Sequence, residues 1–367
     1  MRSTIPKIRN IRISSSRSPA TPRGSSALRN PSRLSSAGET TMERCDLCPP
    51  TDSRGLIFDL YRGTTHDGPG LRSTVFFKGC PLSCAWCHNP EGIPFKRAVW
   101  WDGRTCIGCG LCHEACPYGA NEMKEQGIVI DREKCRACGA CVKACPAQAM
   151  TFIGEDWELE KLVRELLKDK TYYDQTGGGV TASGGEALMQ ADFVAALFVR
   201  LHEAGVTTAL DTCGLAGWDA LEKVLLHTDY VLYDLKILDG AAHKQFTGAD
   251  NAVILEHAKR IAQGIADGVW NAQMWIRTPL IPGATATEEN LSEIGRFIAG
   301  HLLPAVTRWE LCAFNNSCIN KYEKLGGEWS YSDVKLIGSA QAEKLREAAL
   351  LGGCSPEMVF VTGLVAE

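Results

Sequence analysis

The chain has 367 residues, 45% hydrophobic and 22% charged, which is the balance of a folded globular protein and excludes disordered or collagen-like structure. Residues 1–41 hold Lys7, seven arginines and a single acid, Glu39, for a charge of +7; against −4 overall this leaves −11 on the rest. An acidic body argues against a nucleic-acid partner. No run reaches the roughly 18–20 uninterrupted apolar residues a membrane span needs; the longest, Phe193–Leu201, is broken by Arg200. The chain is therefore expected not to cross a membrane and to be cytoplasmic. Seventeen cysteines would suit a disulfide scaffold only in a short secreted protein. Eleven of these fall in three tight groups at metal-ligand spacing, which points to a reducing compartment and metal chemistry.

In chain order, the Ser-, Arg- and Pro-rich residues 1–41 cannot bury enough apolar surface to offset their ordering entropy, and disorder is expected there. Such a start resembles an organelle transit peptide. The preferred alternative places the natural start at Met42, because Gly38-Glu39 can be encoded as a ribosome-binding sequence. Cys45 and Cys48 form an isolated C-x2-C. Like Cys213, Cys312, Cys318 and Cys354, they are read as buried or idle thiols.

After the block Asp67-Gly68-Pro69-Gly70-Leu71-Arg72 comes Cys80, Cys84 and Cys87 in the spacing C-x3-C-x2-C. Three thiolates can anchor only three irons of a cubane, and an open fourth iron is what catalysis requires. The bland alternative is a structural cluster closed by His88. Residues 96–153 hold an internal repeat: Cys106, Cys109, Cys112 and Cys116-Pro117 recur 29 residues later as Cys135, Cys138, Cys141 and Cys145-Pro146. This is the doubled C-x2-C-x2-C-x3-C-P spacing of two-cluster bacterial ferredoxins, in which the fourth cysteine crosses to the other cluster. It assigns Cys106, Cys109, Cys112 and Cys145 to one [4Fe-4S] cluster and Cys135, Cys138, Cys141 and Cys116 to the second. Zinc is the alternative for paired C-x2-C.

From Leu159 onward the patterns alternate. Helices are expected at Glu158–Lys168, Ala191–Ala204, Trp218–Leu226, Glu256–Ala266 and Asn290–Ile298; strands at Val206–Leu210, Tyr230–Leu235, Met274–Leu280 and Trp309–Ala313. The fold class is α/β: a partial (β/α) TIM-like barrel, residues 54–95 and 154–367, with an inserted α+β ferredoxin-like domain at 96–153. Ligands then sit at the carboxyl ends of the strands. Gly177–Glu186 lacks the G-K-[ST] ending of a phosphate loop. Asp211-Thr212 and Asp234 with Lys236 close two strands on that rim, where a solvated salt bridge is the plain alternative.

C-x3-C-x2-C is the signature of radical S-adenosylmethionine (SAM) enzymes. Its flanks, Asp67–Arg72, Phe76–Leu82 and Trp86–Glu91, resemble the glycyl-radical-enzyme activating enzymes, pyruvate formate-lyase activating enzyme among them, and the likeness covers nearly all of residues 55–365. The resemblance implies a third [4Fe-4S] cluster on Cys80, Cys84 and Cys87 whose open iron chelates SAM. The cofactor is cleaved reductively to methionine and a 5'-deoxyadenosyl radical, which takes hydrogen from a backbone glycine of a partner glycyl radical enzyme. It implies that Gly184, Gly185 and Glu186 approach the SAM ammonium, that Asp211 and Lys236 serve its methionine part, and that Asp211, Thr212 and Asp234 hold a monovalent cation. Arg277 corresponds to the arginine that pairs with the SAM carboxylate, a task its planar fork suits. Asp67 corresponds to an acid near the incoming glycine and, with Lys236, is a candidate catalytic residue. Many relatives carry Pro-Phe-His or Pro-Tyr-His where this chain has Phe314-Asn315, so Asn315 is expected to take the histidine's place beside the nucleoside. The inserted module would relay electrons from a flavodoxin or ferredoxin, or help dock the partner. Asn315 and Asn320–Glu323 incline the subgroup toward benzylsuccinate synthase activases. The rival readings are another radical SAM enzyme acting on a small molecule or maturing a sulfatase, and a multi-cluster electron-transfer subunit.

Overall fold

The computed structural model describes residues 54–367; the segment 1–41 and Cys45 and Cys48 lie outside the described residues. An antiparallel pair comes first, β1 (Arg54–Thr64) and β2 (Arg72–Phe77), after which the chain leaves the sheet. The excursion runs through β3 (Ala98–Trp101), α1 (Leu111–Glu114), β4 (Asn121–Lys124), β5 (Gly127–Ile130), α2 (Ala140–Ala144) and β6 (Met150–Ile153). The chain returns as β7 (Glu155–Glu158), on the far side of β1. There follow α3 (Leu159–Leu166), α4 (Lys170–Thr176), β8 (Gly179–Gly184), α5 (Ala191–Glu203), β9 (Thr207–Thr212), α6 (Trp218–Leu225) and β10 (Tyr230–Asp234). Then come α7 (Gly240–Thr247), α8 (Ala252–Ala266), β11 (Gln273–Leu280), α9 (Glu288–His301), β12 (Val306–Ala313), α10 (Ile319–Leu325), α11 (Ser339–Leu351) and β13 (Val359–Thr362).

The large sheet has the order β13-β12-β11-β10-β9-β8-β2-β1-β7, parallel from β2 through β13. Parallel neighbours need crossover connections, which the helices supply. Among the described residues both edges, β13 and β7, stay unjoined, so the wall is open and the barrel partial. Side-chain alternation sorts the two faces. On β11, Met274, Ile276, Thr278 and Leu280 are buried; Met274, Ile276 and Leu280 pack into the core with α5, α8 and α9. The intervening Trp275, Arg277 and Pro279 occupy the opposite face. Parallel register then fixes which residues share that face: Asp234 is level with Arg277, and Arg277 with Glu310.

The expected elements from Leu159 on are all present. The Glu256 helix starts earlier, at Ala252, and Val206 lies just before β9.

Arg72, quoted in the sequence as part of a family-like block, proves to be a structural tie. It is fully buried, and its guanidinium donates to Thr181 Oγ1 (2.8 Å), Val180 O (2.7 Å) and Thr207 O (3.2 Å), joining β2, β8 and β9. Replacing it with methionine strands two buried carbonyls, each worth about 1–3 kcal/mol when unpaired. Arg72→Met is thus expected to lower unfolding stability by roughly 3 kcal/mol or more, read as a fall in the urea midpoint.

Candidate active site

The cysteine loop is set by backbone contact. Where β2 ends, Gly185 N–H donates to Phe77 O (2.8 Å) and Glu186 N–H to Gly79 O (2.7 Å). Gly184 has φ +116°, and a Cβ there would lie 2.3 Å from Phe77 N; one on Gly185 would lie 2.6 Å from both Gly79 O and Gly92 O. The paired glycines are therefore demanded by the chain that carries the cysteines, whatever ligand also approaches them. From the other side Ser83 N–H and Ala85 N–H donate to Thr247 O (2.8 Å) and Phe246 O (2.9 Å) at the end of α7.

The loop roofs a cavity of about 420 Å³ at the carboxyl edge of the sheet, within the usual range for small-molecule sites. Cys80, Cys84, Cys87, Gly184, Gly185, Asp211, Thr212, Asp234, Lys236, Arg277 and Asn315 all line it. Leu82, Trp86, Ile281 and Phe314 form its apolar wall. Lys236 is paired with Asp234 and only 11% exposed. Burial lowers its affinity for a proton, but the Asp234 carboxylate prevails and holds the ammonium above its ordinary value. Arg277 Nη1 meets Asp211 Oδ1 at 3.1 Å, Asp67 Oδ1 at 3.9 Å, and its Nε lies 3.7 Å from Glu310 Oε2. Burial raises the Asp211 carboxyl above the usual range, with Arg277 pulling the other way. Within the cavity lining, Lys236 and Arg277 are matched by Asp211 and Asp234, while Glu310 is paired with Arg308 (2.8 Å) and Asp67 stands outside the lining.

Two residues singled out from the sequence do not line this cavity. Glu186 is buried and spends its carboxylate on Leu188 N–H (3.1 Å), Cys213 N–H (2.8 Å) and the Thr212 hydroxyl (2.8 Å). It ties the end of β8 to that of β9. The Thr212 hydroxyl also accepts from Gly214 N–H (3.0 Å), which leaves it little capacity for a cation. Asp67 sits behind the wall, accepting from Thr74 Oγ1 (2.7 Å), while its neighbour His66 reaches the cavity. Asn315 uses its side-chain carbonyl on Ser317 N–H (3.1 Å), leaving the NH2 group for a ligand.

Four residues were missed. Ser183 donates to Asp211 Oδ2 (2.6 Å), Glu310 flanks Arg277, and the set-aside Cys213 and Cys312 both line the cavity. An acid inside the otherwise apolar run Trp309–Ala313 was the available signal for Glu310.

In the excursion, the repeat is visible as geometry. Gly110 and Gly139 take φ +75° and +83° at the starts of α1 and α2, where a left-handed residue is needed to turn the third cysteine inward. Ala120 N–H and Ala149 N–H each donate to the sulfur four residues earlier, Cys116 and Cys145, both at 3.2 Å. Cys106, Cys109, Cys112 and Cys145 line one cavity; Cys116, Cys135, Cys138 and Cys141 line another. Among the described residues, no three Cys, His, Asp or Glu side chains converge on a single ion position. In the main cavity burial pushes the Cys84 thiol up to about 11 and Cys87 higher still, so these sulfurs need bound metal to stay as thiolates. The donor sets therefore fit iron–sulfur clusters, and a cavity lined by both carboxylates and cations fits the zwitterionic methionine end of SAM.

The class these features define is an iron–sulfur enzyme built on a partial β/α barrel, and known proteins agree. The 4Fe-4S dicluster domain family matches residues 105–149, and the 4Fe-4S single cluster domain family matches residues 66–125. The chain is 37% identical over 292 residues to the trans-4-hydroxy-L-proline dehydratase activating enzyme of Clostridioides difficile, covering 79% of this chain and 94% of that one. It is 35% identical over 304 residues to the indoleacetate decarboxylase activating enzyme of Tractidigestivibacter scatoligenes, covering 80% and 94%. A solved domain of pyruvate-formate lyase-activating enzyme from Bacteroides vulgatus aligns with 51% of this chain and all of that one, at 24% identity and a TM-score of 0.41. The chain belongs to the radical SAM glycyl-radical-enzyme activating enzymes. It is an oxidoreductase that uses iron–sulfur clusters and SAM. Among the described residues, no helix is long and apolar enough to cross a membrane.

Because Gly185 has no room for a methyl group, Gly185→Ala must push the Gly79 and Gly92 backbone aside. We expect it to cost about 1–3 kcal/mol and to shift the EPR signal of the reconstituted catalytic cluster, whereas Gly217→Ala, with open space around it, changes neither.

Proposed function

We propose that the chain activates a glycyl radical enzyme of the dehydratase, decarboxylase or lyase kind named for its relatives, by taking a hydrogen atom from a backbone glycine of that partner. The observation that carries this is the single cavity into which Cys80, Cys84 and Cys87 face together with Gly184, Gly185, Asp211, Lys236 and Arg277. When bound, the cluster and SAM supply one-electron reductive cleavage and the hydrogen-abstracting group. Everything else falls to the protein.

Cys80, Cys84 and Cys87 would hold the catalytic cluster, and the two quartets of the inserted segment the other two, three in all. Arg277, held by Asp211 and Glu310, would offer its guanidinium to the SAM carboxylate. Lys236 fixes the methionine end. The NH2 of Asn315 offers a donor to the nucleoside, where many relatives carry histidine. Asp211 and Asp234 are the acids to which a monovalent cation would bind, in competition with Arg277 and Lys236. The apolar wall excludes water, which a primary carbon radical requires. His66 reaches the cavity where the partner's glycine would approach, and Asp67 behind it would act only through Thr74 and Arg277. The reductant is a flavodoxin or ferredoxin acting through the inserted segment.

Cys84→Ala should abolish 5'-deoxyadenosine formation from SAM under dithionite, whereas Cys109→Ala should retain some cleavage and slow activation. Equal, total loss in both folded proteins would remove the peripheral role of the insertion. Arg277→Ala should weaken SAM binding by about 10–100-fold, as expected for a lost charge-assisted pair. The decisive test mixes anaerobically rebuilt enzyme with SAM and a glycyl radical enzyme from the same organism. A glycyl doublet in EPR is expected, and its absence despite SAM cleavage would point to a different substrate.

A further inference from the structure

The cysteine loop is held by a second partner that no part of the proposed chemistry requires. Tyr322 on α10 donates its hydroxyl to Cys87 O (2.9 Å), and Trp329, stacked on Tyr322 with ring centroids 5.4 Å apart, donates its indole N–H to Ala85 O (3.1 Å). Lys321 pairs with the buried Glu91 (2.6 Å) and donates to Asn89 Oδ1 (2.9 Å). The other end of the same helix grips the inserted segment. Lys324 pairs with Asp102 (2.8 Å) and lies over the Trp100 ring, while Arg132 donates to Leu325 O (3.0 Å) and also to Val99 O on β3. A guanidinium can bridge two carbonyls in this way because its fork offers several donors at once.

The two quartets are not equivalent with respect to this grip. β3 and β6 leave the barrel at Ala98 and Ile153. The quartet Cys116, Cys135, Cys138 and Cys141 is lined by Val99 and Ala137, and Arg97, at the barrel end of β3, stacks on Phe152 and donates to Ala137 O (3.3 Å). The quartet Cys106, Cys109, Cys112 and Cys145 is lined by Trp101 and Met150, two residues further out, or roughly 7 Å along the strand. Arg132 lies three positions before Cys135 of the inner quartet.

We infer that α10 is a bracket holding the inner quartet, Cys116, Cys135, Cys138 and Cys141, at a fixed separation from the Cys80–Cys87 loop, with Arg132 and Tyr322 as its positioning residues. This rests on the activase reading for its purpose. A reduced one-electron carrier of the flavodoxin or ferredoxin class loses one electron and the iron at the Cys80–Cys87 loop gains it, with no proton moved. The bracket keeps that transfer short, and the outer quartet is the one left facing the carrier.

The test uses anaerobically rebuilt holoenzyme: wild type, Arg132→Met, Tyr322→Phe, and Lys344→Met as a control that removes an exposed ion pair elsewhere. Loss of one charge-assisted hydrogen bond should raise tryptic cleavage after the exposed Lys96 and Arg97 about tenfold in Arg132→Met, because cleavage tracks the undocked population. In stopped-flow reduction by reduced flavodoxin, the fast absorbance phase should be unchanged. The slow phase, assigned to the Cys80–Cys87 cluster by its response to SAM, should slow about tenfold in Arg132→Met and severalfold in Tyr322→Phe. Lys344→Met should match wild type in both. Cleavage and slow-phase rates equal to wild type in both variants would overturn the bracket. If wild-type protein shows no SAM-dependent change in its EPR spectrum, the activase reading fails instead, and the tryptic comparison still decides the bracket.

Discussion

The site depends on one steric constraint: the backbone of the cysteine loop runs against Gly184 and Gly185 with no space for a side chain on either. The two hydrogen bonds made there, from Gly185 N–H and Glu186 N–H, extend the parallel pairing of β2 and β8 past the end of the strands. Three thiols that would otherwise sit on a free loop are thereby fixed above the carboxyl ends of β9, β10 and β11. Such backbone-to-backbone contact is stiffer than any side-chain packing that could replace it, and a cluster ligand set tolerates little play.

Charge follows from the same edge. Parallel register sets Asp234, Arg277 and Glu310 level on one face, so the acids and bases cannot avoid one another. Two carboxylates and two cations on one rim are costly to hold in a dry protein interior unless each is paired, as Asp211 is with Arg277 and Asp234 with Lys236. The ammonium and the carboxylate of SAM would each find a group of opposite charge on that rim. Each acid is already hydrogen-bonded before any ligand arrives, Asp211 by Ser183 and Arg277, Asp234 by Lys236, so binding requires little rearrangement.

What could be read from the sequence was whatever leaves a local period or spacing. The β/α alternation after Leu159 and the doubled cysteine repeat are patterns within a few residues, and the structure brings each predicted quartet around one void. Glu186 illustrates what is not legible. As the end of a Ser-Gly-Gly-Glu motif it looked like a ligand contact, whereas its partners, Thr212 and Cys213, are 26 and 27 residues away and set its role as a tie between strands. The missing Cβ atoms of Gly184 and Gly185 were attributed to a ligand for the same reason, since the clashing atoms belong to the end of β2 and the loop after it, far earlier in the chain. Lys321 and Tyr322, read from the sequence as a hint of subgroup, turn out to bind the cysteine loop and its flank, so their presence says more about the loop than about the partner.

The position of the inserted segment is set by the sheet and not by its linkers. The chain leaves from the end of β2 and re-enters as β7, and in the sheet these two strands are separated only by β1. Exit and return are therefore about two strand spacings, roughly 10 Å, apart, and the β3–β6 pair closes directly on that gap. The strand that delivers the cysteine loop also delivers the insertion. Any motion of one relative to the other must occur in the short exposed stretch 94–97 or at Gly154; α10 bypasses the first of these by holding the cysteine loop through Tyr322 and the inserted segment through Arg132 and Lys324. A module free to swing would gain conformational entropy at those two points, and the ion pair and paired carbonyls along α10 oppose it. The inserted segment is thus held in place by its covalent origin at one end and by a helix almost two hundred residues later at the other.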